Sequence, residues 1–193
     1  MIVDIFHQRR SVRAYADKPV SEAVLRELLD AAVHAPTAMH LEPWGFAIVQ
    51  DKAVLQRYSE RAKSILRAPG GAVGWGSAGR VHRDHPAMLD DPAFNIFYDA
   101  GTLIVICRRH GGPFADADCW LAAENLMLAA AAKGLGSCCI GFALSVLNTA
   151  AVKRELGIPA EGAAVAPIIV GYARGANPVV PRKPAEILAW LKP

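Results

Sequence analysis

The stretch "DCWLAAENLMLAAAAKG", Asp118–Gly134, constrains the fold more than any other part of the chain, because between Asp118 and Lys133 its only charged residue is Glu124. A helix that is apolar on every side has no face to offer water, so it belongs in the middle of a domain with other elements laid around it. Gly134 is placed to end it, since glycine adopts the left-handed conformation that closes helices. No stretch of the sequence reaches 18 uninterrupted apolar residues, which points away from a membrane span. At 193 residues the chain is one domain's worth, long enough to build a core without metal or disulfide staples.

Other elements follow from periodicity. "KPVSEAVLRELLDAAVHAP" has Ser21 as a cap and Val24, Leu25, Leu28, Leu29 and Ala32 at helical spacing. "WGFAIVQ" reads as a strand that leads into a helix through Val54, Leu55, Tyr58, Ala62, Ile65 and Leu66. "TLIVIC" and "AAVAPIIVGY" read as buried strands, the second with Pro167 at its start or at a bulge. "SVLNTAAVKRELG" reads as one capped surface helix ending at Gly157, and "PAEILAWL" as a short terminal helix. Strands separated by helices, without runs of hairpins, predict an α+β or α/β layered fold. Between residues 67 and 92 periodicity vanishes, and an excursion of that length is usually functional or disordered.

Charge and cysteine content narrow the function. A net charge of +3 without long basic runs argues against nucleic acid and suits a small anionic ligand. Four cysteines with no CxxC, two of them adjacent, read as reduced thiols. In "MIVDIFHQRRS" an acid interrupts the apolar run and the arginines follow it, the wrong order for a secretory leader, so a soluble cytoplasmic protein is expected. "GWGSAG" matches GxGxxG, yet no strand precedes it and no helix pattern follows, so the dinucleotide context fails. His82 and His85 in "HRDH" lack further clustered ligands, and no metal site is expected.

"QRRSVRAY" places three arginines within five residues. They are either a solvated edge pairing with Asp4, Asp17 or Glu22, or a grip on an anion. "APTAMHLEPW" is a connection whose backbone amides can face a ligand, or a plain turn with Trp44 in the core. "GLGSCCIGF" permits close backbone approach to a flat ring, and a tight core turn would use the same glycines.

Taken in order, "RRSVRAY", "APTAMHLEPWGF", "ENLMLAAAAKGLGSC" and "IIVGY" followed by "PRKP" resemble the nitroreductase family of FMN-dependent oxidoreductases over nearly the whole chain. The resemblance implies a single α+β FMN-binding domain, a central mixed sheet flanked by helices, and an intertwined homodimer with flavin sites at the subunit interface. It implies that Arg9, Ser11 and the Arg182–Lys183 region hold the FMN phosphate and ribityl chain, with Arg10 nearby, and that Arg13 lies at the pyrimidine edge. Pro36, Thr37 and Ala38 would come from the partner subunit, Met39, His40 and Glu42 would also belong to the cofactor site, and Cys138, Cys139, Ile140 and Gly141 would pass beside N5. NAD(P)H would be the transient electron donor and nitroaromatics, quinones or related small molecules the acceptors, with chemistry at N5 and no catalytic side chain. The excursion at 67–92, with Trp75, His82 and His85, would border the open face of the flavin. His40 and Glu42 stand where the family commonly has asparagine and glutamine, and an FMN-binding or regulatory protein with little turnover is the alternative.

Overall fold

Two strands with no polar face lie side by side at the centre of the domain, and their burial on both sides organises the rest. The computed structural model describes residues 2–68 and 87–192. Its elements are α1 (Ile2–Gln8), α2 (Glu22–Val33), β1 (Trp44–Val49), α3 (Lys52–Arg67), β2 (Thr102–Arg108), α4 (Ala115–Ala132), β3 (Gly136–Cys139), α5 (Leu144–Leu147), α6 (Ala150–Glu155) and β4 (Ala163–Gly171). The sheet runs β1-β2-β4-β3, and each neighbouring pair is antiparallel. The expected mixed sheet is corrected: among the described residues its four strands are all antiparallel, and parallel pairing is confined to one bridge, Ser11 to Ser137.

Side chains alternate along β2, so Leu103, Val105 and Cys107 join a core with Leu55, Tyr58 and Leu66 of α3, while Ile104 and Ile106 join one with Leu28 of α2 and Leu126 of α4. The result is three layers, with α2 and α4 on one face and α3, α5 and α6 on the other. The alternation shifts on β4, where Ile106 pairs with Ala166 but Cys107 pairs with Ala164. Val165 is the extra residue of a β-bulge, and it and Ala166 consequently share the α2–α4 core. Pro167 is tolerated in this interior strand because its carbonyl accepts from Ile140 N at 2.8 Å, just past the end of β3. N–H and C=O of one strand residue point the same way, so the missing donor faces the end of β3 and not the β2 ladder.

Local chemistry sets the ends. Ser21 caps α2 by accepting from Val24 N at 3.4 Å, and Asp51 caps α3 by accepting from Ala53 N and Val54 N. Gly134, at φ +71°, ends α4 as expected. Two expectations are corrected. The helix read across "SVLNTAAVKRELG" is two, α5 and α6, because the Asn148 side chain turns aside to bind both Ala164 O (3.1 Å) and Ala164 N (2.9 Å). The terminal "PAEILAWL" is not helical, and Leu188 and Leu191 are 90% and 95% exposed. So short a helix has too few hydrogen bonds to offset its nucleation without a surface to pack on.

Candidate functional site

The segment after α1 threads along the far edge of the sheet and ties the sequence motifs together. Val12 N donates to Ser137 O at 3.0 Å, Arg174 N donates to Ala14 O at 2.9 Å, and Ala16 N donates to Tyr172 O at 2.8 Å. Val12 and Tyr15 are buried while Ser11 and Arg13 point outward. The thread lies so close that a Cβ on Gly136 would meet Val12 at 2.7 Å, and one on Gly171 would meet Tyr15 at 2.8 Å. Glycines in "GLGSC" and "IIVGY" are therefore what lets "RRSVRAY" dock. The first, third and last motifs meet here.

On the outward side lies a cleft of about 510 Å³ lined by Arg10, Ser11, Arg13, Arg174 and Arg182 with Asn177, proline and small apolar residues, and by no carboxylate. Four guanidinium groups around one cleft form a field that favours an anion, and their forked donors suit a phosphate. Arg10 also donates to His7 O, and to Arg9 O at 2.8 Å. Arg9 points to the neighbouring cleft of about 190 Å³ with Arg10, Gly136 and Ser137, and its Nε lies 3.4 Å from Glu124 Oε1. Asp17 and Glu22, candidate partners of a solvated arginine edge, pair with Lys52 and Arg26. Lys183 is exposed and does not line the cleft. Arg174 was not expected. Its signal is position, a basic residue three places after the end of a buried strand.

Cys138 to Gly141 follow directly from the Ser11–Ser137 bridge. Burial pushes the Cys138 thiol up against the opposing pull of Arg13, Ser11 and Arg9, and pushes Cys139 up to about 12. All four cysteines are free. The Ile140 amide is already donated to Pro167 O, whereas Gly141 opens a short 3-10 turn.

Pro36 to Glu42 do not join this cluster. Ala38 N donates to Asp118 Oδ1 at 3.2 Å, which fixes the connection to the first turns of α4. Arg9 and Arg10 share their cleft with Ala131 in the last turn. The rise of a helix puts Asp118 and Ala131 roughly 20 Å apart. Met39 (φ 55°), His40 (φ 53°) and Glu42 (φ 44°) are left-handed non-glycine residues, and their side chains are exposed. Arg109 Nη2 donates to Glu42 O at 3.2 Å and helps hold that shape. Trp75, His82 and His85 lie outside the described residues. Among the described residues no group of three His, Cys, Asp or Glu could hold a metal, and no helix is long and apolar enough to cross a membrane.

The fold and cleft define a three-layer α+β domain with an arginine-lined cleft beside a short strand of small residues. The sequence pattern of the nitroreductase family matches residues 7–172. A protein of Archaeoglobus fulgidus, provisionally named an NADH dehydrogenase/NAD(P)H nitroreductase, is 28% identical over 170 residues, 88% of this chain and 84% of its own. The 5,6-dimethylbenzimidazole synthase of Rhodospirillum rubrum is 30% identical over 197 residues, 96% of this chain and 87% of its own. The crystal structure of a nitroreductase with bound FMN from Bacteroides fragilis superposes with a TM-score of 0.82 at 25% identity, covering 99% of this chain and 98% of that one. The chain belongs to the nitroreductase family.

Proposed function

We propose that the protein is an FMN-dependent oxidoreductase that takes two electrons from NAD(P)H and delivers them to a nitroaromatic, quinone or related acceptor in a ping-pong cycle. The observation that carries this reading is the carboxylate-free cleft of Arg10, Ser11, Arg13, Arg174 and Arg182, joined by the Ser11–Ser137 bridge to Cys138–Gly141. These residues fit the group, because a phosphate with close to two negative charges answers the arginines and the small residues of the strand end let a flat ring approach. FMN supplies the hydride chemistry at N5, and this chain supplies binding, orientation and charge.

Arg9 fits a phosphate despite its pairing with Glu124. This single, partly exposed contact to Glu124 contributes on the order of 1 kcal/mol, whereas each hydrogen bond to a charged group contributes about 1.5–3 kcal/mol and a dianion accepts more than one, so the dianion wins the guanidinium. Arg13 lines the cleft, and a fixed positive charge there favours the ring when it gains electrons.

The site is shared between two copies of the chain. Three observations support this: Pro36 to Glu42 are remote from the arginines of their own chain, Met39 and Leu41 are 78% and 50% exposed, and the tail exposes Ile187, Leu188, Trp190 and Leu191. Exposed apolar groups this dense mark an association surface. A homodimer would bring one protomer's strained 36–42 connection to its partner's arginines.

Titration of the purified protein with FMN, followed by flavin fluorescence in wild type and in Arg9→Ala, tests the cofactor assignment. Wild type should quench the fluorescence saturably, and Arg9→Ala should bind about tenfold or more weakly. No saturable binding in wild type would contradict the assignment. FMN that binds and is never reduced by either nucleotide would select the low-turnover alternative.

A further inference from the structure

Along one stripe of α3, Gln56, Ser59 and Lys63 each bond the turn that precedes β2. Gln56 Oε1 accepts from Asn95 Nδ2 at 3.1 Å, and Ser59 Oγ accepts from Ile96 N at 3.0 Å. Lys63, only 1% exposed, donates to Phe94 O at 2.9 Å and to Asp91 O at 3.3 Å, and pairs with Glu60 at 2.9 Å. A buried ammonium is tolerated only when its donors are met, so this lysine ties the turn firmly to the helix. The turn needs such a tie. Tyr98 (φ 52°) and Asp99 (φ 55°) are consecutive left-handed residues without being glycine, a conformation that persists only where its surroundings enforce it.

The product of this construction is the placement of one ring. Phe94 packs edge-on against Tyr98, with centroids 5.5 Å apart at 78°. Arg13 Cζ lies 5.9 Å from the centre of the Tyr98 ring. Apart from it, Arg13 Nη1 has a long 3.5 Å contact to Ser11 O. Arg13 is also shared by the anion cleft and a second cleft of about 370 Å³ bordered by Tyr98, so its direction decides which space its charge fills.

We propose that Tyr98 is a positioning residue that holds the Arg13 guanidinium in place before the flavin accepts electrons. The proposal rests on the reading of Arg13 given above. A cation over an aromatic face at an exposed site is worth about 0.5–1 kcal/mol, or about a two- to fivefold effect on an equilibrium that depends on it.

The test compares wild type with Tyr98→Asn and Tyr98→Phe, each also in an Arg13→Gln background. Asparagine tolerates the left-handed conformation, so the ring is removed without straining the turn, and phenylalanine keeps the ring. Affinity for oxidised FMN and the midpoint potential of the bound flavin together give the affinity for reduced FMN. Tyr98→Asn should weaken binding of reduced FMN about two- to fivefold more than that of oxidised FMN, lowering the potential. Tyr98→Phe should restore the wild-type ratio, and in the Arg13→Gln background Tyr98→Asn should leave the ratio unchanged. An unchanged ratio in the wild-type background, or an equal shift without Arg13, overturns the proposal while leaving the flavin reading intact. Wild-type protein that binds no FMN overturns both.

Discussion

In the proposed site Arg13 and Glu42 would act on the same charge with opposite sign, and each is testable alone. When the flavin gains electrons its ring becomes more negative, so a guanidinium beside it raises the reduction potential and a carboxylate lowers it. In the proposed dimer Glu42 comes from the partner protomer, and its backbone carbonyl is held by Arg109. Glu42→Gln is expected to raise the potential of the bound flavin, read in a redox titration against a reference dye, and equal potentials would contradict the placement. Arg9→Ala and Arg13→Gln are expected to divide the work. The first mainly weakens FMN binding, and the second also slows reduction by NAD(P)H, so identical effects of the two on Kd and on the reduction rate would defeat that division. The cysteines are expected to take no part. With Cys139 pushed up to about 12 and Cys119 likewise, their thiols stay protonated at neutral pH, and alkylation in the native state should be slow beside that in denaturant.

At the level of elements, the docking of the 11–16 thread on β3 and β4 joins structure to function, and Gly136 is its tightest point. Gly136→Ala would force Val12 off the strand, at a cost of about 1–3 kcal/mol in stability, and would displace Ser11 from Ser137. Thermal melts should show that loss together with a weakened FMN affinity. Leu126→Ala, in the core between α4 and the sheet, should cost about 2–5 kcal/mol with little change in FMN affinity of the folded protein. Equal FMN affinities for Gly136→Ala and wild type would detach the thread from the site. The elements legible in the sequence were those whose signals are local. The all-round apolar pattern gave α4, unbroken apolar runs gave β2 and β4, and Ser21 marked the start of α2. What escaped was set by distant partners. The break between α5 and α6 depends on Asn148 meeting Ala164, β3 is a four-residue strand of small residues held by its ladder with β4, and the 3-10 turn at 38–40 is anchored by Asp118. The candidate cleft divides the same way. Arg10, Ser11, Arg13 and Arg182 converge, whereas Arg174 and Tyr98 are recognisable only once the thread and the α3 stripe have brought them to Arg13.

At the scale of the molecule, the proposed dimer would use two segments that a single chain carries near opposite ends of α4, Pro36–Glu42 and the arginine cleft, and would cover its exposed apolar tail. Removing residues 176–193 is expected to convert a dimer to a monomer in sedimentation and to abolish FMN binding at micromolar concentration, since Arg182 and the apolar tail leave together. A full-length protein that is monomeric and binds FMN with unchanged affinity after truncation would refute the shared site. The proposed role of this cleft is electron transfer through FMN. Its most direct test is an anaerobic absorbance spectrum of the FMN-loaded protein before and after NADH and then NADPH. Bleaching of the visible flavin band by at least one nucleotide, reversed on addition of a nitroaromatic or quinone, is the expected result. A flavin that stays oxidised with both would contradict the oxidoreductase assignment and leave a protein that binds FMN without turning it over.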